Sequence, residues 1–482
     1  MSGAVVMMLE LTGSRILAPF VGTSTFIWTS LIGVILASLS LGYYIGGQKA
    51  DQNPTAKRLS QILLFAGLAI GVIAVVNQTI LALVTQSHFS LRWGAALSAT
   101  ILFGPPAYLL GMVSPQAVRI RMDDMKTAGT TIGRLYALSS LGSILGTFAV
   151  GFYLMSWVGS RNILFILCGL TLLLSLLNAR NKEAGYAFIV FLLAPFIPSF
   201  AKTGLLQVQD TEYSAVQIDT ILDQENRLVK IMKVGNEYSS GMYLDSDSLA
   251  FVYSRFYKMM FYYHPNPVNT LLVGGGAYSV PKYFQKAYPQ MKMDVLEIDP
   301  ALTRIAEEKF RFTPNAQVVP IHEDGRIYLN HNIKKYDVIM GDAYRSLFSI
   351  PFHLVSKEAM QQTANALTDN GVLMINILSP VTGSNRDLLQ SITKTCRAVF
   401  PKVLAFKPRT DLPADLVQNI MIVCLKSPKP IENRAVSEEI KYMLAQQIDL
   451  DKEVADAGIV LTDDYAPVEH YAEKMLKSYF VK

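Results

Sequence analysis

The stretch Thr270-Leu271-Leu272-Val273-Gly274-Gly275-Gly276 decides the fold of the second half of the chain. Residues suited to a buried strand run straight into three glycines. In that order a parallel strand can turn into a helix while its backbone stays open to a ligand. Helical spacing follows over Tyr278–Tyr288, and Met293–Ile298 reads as the next strand. Glu297 stands at the end of that strand, about 20 residues after the turn, where an acid can accept hydrogen bonds from both hydroxyls of a ribose. The turn lacks the spaced third glycine of dinucleotide sites, which argues against pyrophosphate and against NAD.

The alternation continues outward. Val318–Ile321, Asp337–Met340, Val372–Leu378 and Asn419–Leu425 read as strands, with helical stretches at 356–367 and 385–399. Such alternation implies an open, mostly parallel sheet with helices on both faces. Upstream, residues 205–245 show period two, with Tyr213, Val216 and Ile218 before the turn Asp223-Gln224-Glu225-Asn226 and Val229, Ile231 and Met232 after it. That is a hairpin-rich β region. Residues 249–263 switch to helical spacing. The expected organisation is a small β domain over 204–248 and a Rossmann-like sheet of class I methyltransferase type over 249–482.

Residues 1–203 read differently. The chain of 482 residues is 51% hydrophobic and 17% charged, with a net charge of +5. Its mean hydropathy is +0.29. The first 201 residues carry 12 Lys/Arg and 5 Asp/Glu, and the remaining 281 carry 31 and 33. The charge deficit therefore lies in the first part, and its basic excess belongs to membrane loops and not to nucleic acid. Disorder, a disulfide scaffold and a single soluble domain are excluded. The three cysteines, Cys168, Cys396 and Cys424, have no metal-ligand spacing, and no metal is expected. No cleavable signal peptide is evident, since no basic region precedes the first apolar run.

The apolar runs predict a helical bundle of six or seven spans, near 2–21, 26–47, 60–84, 93–113, 132–155, 162–179 and, as the seventh, 185–201 with Pro195 and Pro198. Glycine and serine recur in the second and fifth spans, as close packing in lipid requires. Glu10 and Arg15 lie at membrane depth and need a partner. They are expected to meet each other, or Arg134 or Tyr136 across the bundle, with a substrate or ion pathway as the alternative. Lys49, Lys57, Arg58, Arg119, Arg121, Lys126, Arg134, Arg180 and Lys182 fall in alternate loops and place those loops in the cytoplasm. The protein is thus expected in the lipid bilayer, as in a bacterial inner or plasma membrane. If 185–201 crosses, the second half lies outside the cytoplasm. The expectation is a cytoplasmic second half, with 185–201 interfacial or re-entrant, because a nucleoside ligand of the kind Glu297 suits is a cytoplasmic metabolite.

Two more loops of the sheet carry candidate residues. Asp324 and Gly325, in Glu323-Asp324-Gly325-Arg326, follow Val318–Ile321, and a carboxylate there can accept the exocyclic amine of adenine. Asp342, in Met340-Gly341-Asp342-Ala343-Tyr344, ends the next strand above the crevice where open α/β sheets bind ligands. Gly274, Gly275, Gly276, Glu297, Asp324 and Gly325 are therefore the expected nucleoside-binding residues. Asp342 and Tyr344 are the expected catalytic ones.

These residues carry a resemblance. Segment 264–376 resembles the spermidine synthase (polyamine aminopropyltransferase) family in His264-Pro265-Asn266-Pro267, the glycine turn, Glu297 and Asp324-Gly325. The preceding β region and the ending Leu461–Glu469 look alike too. Residues 10–15, Leu41-Gly42, Gly46-Gly47, 111–115 and 133–137 are similar to membrane-fused members of the group. The resemblance implies transfer of an aminopropyl group from decarboxylated S-adenosylmethionine to an amine, with no tightly bound cofactor. A homodimer is compatible with it. This chain also departs from the family. Ala277 stands where the turn continues with an acid, Arg345 where the second, catalytic acid of the strand-four loop belongs, and the Tyr-His-Glu motif falls unmatched on Val252-Tyr253-Ser254. A cation at 345 would repel a dicationic diamine. Two alternatives therefore stand beside aminopropyl transfer. One is an S-adenosylmethionine-dependent methyltransferase. The other is a non-catalytic nucleoside-sensing or transport protein.

Overall fold

Large apolar side chains occur all round the helices of residues 1–179, so one inward stripe cannot bury them. The computed structural model describes the chain apart from residues 22–24, 87–90, 123–126, 180–182, 184, 189–206, 236, 344–350, 430–433, 455–456 and 481–482. It divides into two units, Met1–Val216 and Gln217–Lys482, the division falling inside the β region expected over 204–248.

The first unit holds the helices α1 (Ser2–Val21), α2 (Thr25–Gln52), α3 (Ala56–Gln86), α4 (Leu91–Gly111), α5 (Val113–Arg121), α6 (Ala128–Ala149), α7 (Met155–Val158) and α8 (Ser160–Ala179). A π-helical turn, Val150–Leu154, joins α6 to α7. Glycines set their packing. Gly42 of α2 lies so close to Tyr108 that a Cβ would stand 2.2 Å from its carbonyl oxygen, and Gly46 lies against Met112. α2 and α4 therefore run the same way. Ser60 of α3 donates to the carbonyl of Ser175 at 2.7 Å, and Gly71 meets Cys168, so α3 and α8 run oppositely. Gly3 lies against Ser139, and Gly146 against Ala4 and Met8, so α1 parallels α6. Inside sit Leu9, Leu17, Leu31, Phe103 and Leu167, each at most 1% exposed, while Leu145, Phe152 and Trp157 stand outward at 70%, 66% and 85%.

Five stretches are long and apolar enough to cross a membrane: Ile27–Gln52, Ala56–Val84, Trp93–Arg121, Ala128–Leu154 and Ser160–Asn178. The helix expected over 2–21 forms, yet it is not among those five, so the count among the described residues falls below the six or seven expected. Beyond Phe188 the span expected over 185–201 lies outside the described residues. Arg15 does not spend its described hydrogen bonds as expected. It donates to the backbone carbonyls of Thr211, at 3.0 Å, and Glu212. A guanidinium has five donors in a fork, which suits adjacent carbonyls.

Strands β1 (Gln207–Asp210), β2 (Ala215–Leu222), β3 (Leu228–Val234) and β4 (Glu237–Tyr243) form a sheet in sequence order. The turn expected after Leu222 is closed by Asp223, whose Oδ1 accepts from the amides of Glu225 and Arg227, with Asn226 left-handed at φ 61°. The larger sheet has strands β5 (Asn269–Val273), β6 (Lys292–Leu296), β7 (Val318–Ile321), β8 (Tyr336–Gly341), β9 (Leu367–Ser379), β10 (Lys402–Phe406), β11 (Gln418–Leu425) and β12 (Gln447–Ile448). Their order is β12-β10-β11-β9-β8-β5-β6-β7. From β7 to β9 all neighbours are parallel, as expected. The arm β9-β11-β10-β12 is antiparallel. The reading of a mostly parallel sheet thus describes one side of it. Strands β10 and β12 were not read from the sequence.

Candidate active site

Three strand ends meet beside the glycine turn. The amide of Gly274 donates to Leu296 O at 2.8 Å, that of Asp342 to Val273 O at 2.8 Å, and that of Glu297 to Ile321 O at 3.0 Å. This ladder puts the turn, Glu297 and Asp342 on one carboxyl edge. Gly274 has φ 101°, and a Cβ there would meet the carbonyl carbon and oxygen of Asp342 at 2.9 Å. Conformation and space both demand glycine.

Glu297 is 6% exposed and faces into the turn. Its Oε2 accepts from the amides of Gly275 and Gly276 at 3.0 and 2.9 Å, and its Oε1 from Asp299 at 3.2 Å. The expected ribose acceptor is thus also an anionic cap on the turn, and a ribose reaches it by sharing or displacing those amides. Asp324 caps the helix Gly325–His331. Its Oδ1 accepts from the amides of Arg326 and Ile327 at 2.8 and 3.1 Å, and its Oδ2 lies 3.5 Å from His353 Nε2. Gly325 packs against the end of β5, where a Cβ would meet Val273 Cγ1 at 2.9 Å.

Asp342 is 4% exposed. Tyr253 donates its hydroxyl to Oδ2 at 3.3 Å, and Asn376 donates Nδ2 to Oδ1 at 3.2 Å. Behind it, Asn419 donates to Asn376 Oδ1 at 3.1 Å, which fixes the way that amide points. A cavity of about 10 Å³ opens here, lined by Ser240, Phe251, Tyr253, Ser254, Gly275 and Asp342 among others. It has room for about one water molecule. Tyr344 and Arg345 lie outside the described residues.

The sequence reading missed Tyr253, Asn376, Asn419 and Ser240. One signal was there for Asn376: a lone amide inside the apolar run Val372–Leu378, where an unpaired polar group would be costly. Ser240 accepts the amide of Ala277 at 3.0 Å, and Ala277 is fully buried. Next to it Tyr278 is left-handed at φ 55° and stacks on Phe312 with ring centres 4.2 Å apart. Its hydroxyl pairs with Thr303 at 2.8 Å, and burial pushes that phenol well above its usual range. His264-Pro265-Asn266-Pro267 stays away from this site. His264 Nε2 lies 3.6 Å from Asp337, whose other oxygen accepts the amides of Val268 and Asn269. Among the described residues no group of three or more His, Cys, Asp or Glu is placed to hold a metal.

Known proteins resemble this part of the chain. Residues 251–433 match the spermine/spermidine synthase domain. A polyamine aminopropyltransferase of Vibrio vulnificus is 30% identical over 228 residues, which cover 46% of this chain and 73% of that protein. A probable polyamine aminopropyl transferase of Bifidobacterium longum is 24% identical over 295 residues, or 56% of this chain and 63% of its own length. Among solved structures, a probable spermidine synthase of Corynebacterium glutamicum aligns with a TM-score of 0.42 at 20% identity, covering 56% of this chain and 94% of that one.

Proposed function

The chain belongs to the spermidine synthase (polyamine aminopropyltransferase) family, a family of transferases, and from that premise we propose that it is a membrane-bound aminopropyltransferase with an altered acceptor pocket. The observation that carries this reading is the common edge on which the glycine turn, Glu297 and the enclosed Asp342 meet. Gly274–Gly276, Glu297, Asp324 and Gly325 hold the nucleoside of decarboxylated S-adenosylmethionine. An amine nitrogen then attacks the carbon beside the sulfonium. The carbon–sulfur bond breaks, methylthioadenosine leaves with the electron pair, and Asp342 accepts the proton that the nitrogen sheds. Tyr344, two residues on in the sequence, is the second residue proposed to act there.

The acceptor side supports the altered pocket. Asp342 is held by a phenol and an amide, both neutral donors, and residue 345 is Arg. A cation at the sequence position where the family carries its second acid suits an acceptor with a single positive charge, or none, better than a diamine. The apolar outer face of residues 1–179 supports residence in a bilayer.

The test is calorimetric binding of the purified chain to methylthioadenosine, S-adenosylmethionine and its decarboxylated form, with Glu297→Ala as control. Preference for the decarboxylated form, lost in the variant, is the expected result. Preference for S-adenosylmethionine would make the chain a methyltransferase, and no binding would leave a non-catalytic domain. Arg345→Asp then asks whether diamine transfer rises. Ala277 is the poorer site for restoring an acid, since its surroundings are fully buried and its amide is taken by Ser240.

A further inference from the structure

Helix directions sort most of the bundle's cations to one end, with Arg15, Arg92 and Arg161 the exceptions. Starting from Thr25, α2 runs towards Lys49, α3 returns from Lys57 and Arg58, and α4 runs parallel to α2 and leads through α5 to Arg119 and Arg121. α6 returns past Arg134, and α8, opposite to α3, ends at Ala179 beside Arg180 and Lys182 in the sequence. All these cations therefore belong to one end. Trp28, Trp93 and Trp157 mark the other, exposed at 38%, 72% and 85%. Tryptophans in that position anchor helices at a membrane–water interface, and Lys and Arg collect on the cytoplasmic side.

The chain after α8 can now be placed from its two described ends. Gly185 lies against Leu176, one turn before the basic end of α8, and Ala187 and Phe188 pack on the bundle core. Asp210, by contrast, sits at the tryptophan end. Its Oδ2 accepts the amide of Ser160, the first residue of α8, at 2.8 Å, and it lies against Gly159. Arg15, near the end of α1 that leads into α2, holds the carbonyls of Thr211 and Glu212. All these contacts lie within residues 1–216. The chain thus leaves the basic end and reappears at the opposite one.

We infer that the chain from Asp210 onward, including Glu297 and Asp342, works on the non-cytoplasmic side of the membrane, opposite the basic loops. The inference rests on residues 1–179 spanning a membrane, as proposed above, and replaces the expectation of a cytoplasmic second half. That expectation needed 185–201 to stay on one side, and the contacts of Asp210 and Arg15 are at the wrong end for it. A consequence concerns supply. An adenosyl sulfonium is a fixed cation and does not pass hydrocarbon unaided, so the donor must be delivered across the membrane, by this bundle or by another carrier.

The chain is well suited to a labelling test, because Cys168, Cys396 and Cys424 are all buried. One variant carries Ile333→Cys, at a position 95% exposed in the α/β half, and another carries Lys57→Cys in a basic loop. Intact cells are treated with a membrane-impermeant maleimide. The expected result is full labelling of the Ile333 variant in intact cells, and labelling of the Lys57 variant only once the membrane is opened. Protection of Ile333→Cys in intact cells would overturn the inference, as would labelling of both positions. Should Ile333→Cys fail to accumulate, Tyr465→Cys, at a position 64% exposed, reads the same side. Labelling needs no substrate, so a failure of donor binding leaves this result intact. Recovery of the chain in the soluble fraction would instead sink the membrane reading itself.

Discussion

The two sides of the glycine turn, which the proposal gives to donor and acceptor, are built in different ways. On the donor side, main-chain amides of the turn meet one acid, Glu297, and the pieces come from neighbouring strands β5 and β6. On the acceptor side, Asp342 is reached by side chains from the helix Val252–Arg255, from β9 and, through Asn376, from β11. The donors of a backbone cradle are main-chain amides, held by a conformation that requires glycine at 274. A side-chain cage changes with each substitution. On the proposed reading the nucleoside residues are kept, while Ala277 and Arg345 depart from the family pattern on the acceptor side.

The comparison can be broken experimentally, and the largest effect belongs to the acceptor side. Asp342→Asn keeps the shape and removes the proton acceptor. Turnover should fall by roughly 10²–10⁴-fold, the usual span for a general base, while calorimetric donor affinity stays near wild type. An equal loss of donor binding would erase the distinction between the two sides. Next comes Gly274→Ala. A left-handed backbone costs about 1–3 kcal/mol for a non-glycine residue, before the clash with Asp342. Thermal unfolding in detergent should show the chain destabilised by at least that amount, and an unchanged midpoint would deny the cradle its geometry.

Glu297→Gln sharpens the donor side. It keeps one carbonyl acceptor and loses the charge that serves three amides. Charged hydrogen bonds contribute about 1.5–3 kcal/mol, so donor affinity should weaken by roughly ten- to a hundredfold, with little change in acceptor KM. Asn376→Leu sharpens the acceptor side. It removes a donor to Asp342 and also strands Asn419, so kcat should fall by about five- to thirtyfold, roughly 1–2 kcal/mol, while donor affinity holds. Titration of kcat against pH separates this from simple loosening of the sheet, because an effect through Asp342 moves the acid limb of the profile.

The smallest effect lies away from both sides. Lys282 is 6% exposed and donates to Phe310 O at 2.8 Å, and burial brings its ammonium down to about 8, against the pull of Asp247 at 3.5 Å. Its folded value lies below its unfolded one. Between about pH 8 and the usual lysine range, the unfolded chain therefore holds a proton that the folded chain has released, and stability rises with pH. Lys282→Met should flatten that rise in urea titrations taken at several pH values, without moving activity at neutral pH.

The same contrast explains what could be read in advance. Gly274–Gly276 and Glu297 follow each other in the order strand, turn, helix, strand, so local period exposes them. Tyr253, Asn376 and Asn419 are scattered over more than 160 residues and converge only when β9 takes its place between β8 and β11. Tyr253 even lay in a segment that looked unmatched, because its neighbours do not fit the family pattern. The antiparallel arm was missed for a related reason. Hydrophobic period reports whether a segment is a strand, and it does not report the direction in which that strand pairs.

Sequence alone therefore determined that one part of the chain forms helices long and apolar enough to cross a membrane and that the other builds an α/β sheet. Composition and period carry that information directly, since burying apolar area dominates both. Tertiary structure alone decided what surrounds Asp342 and at which end of the bundle Asp210 and Thr211 come to rest. Charge counts in loops order the helices already recognised, but they cannot tell whether one further segment crosses. The inference drawn above rests instead on hydrogen bonds between residues about 50 and about 200 positions apart, Ser160 to Asp210 and Arg15 to Thr211, which no local pattern encodes.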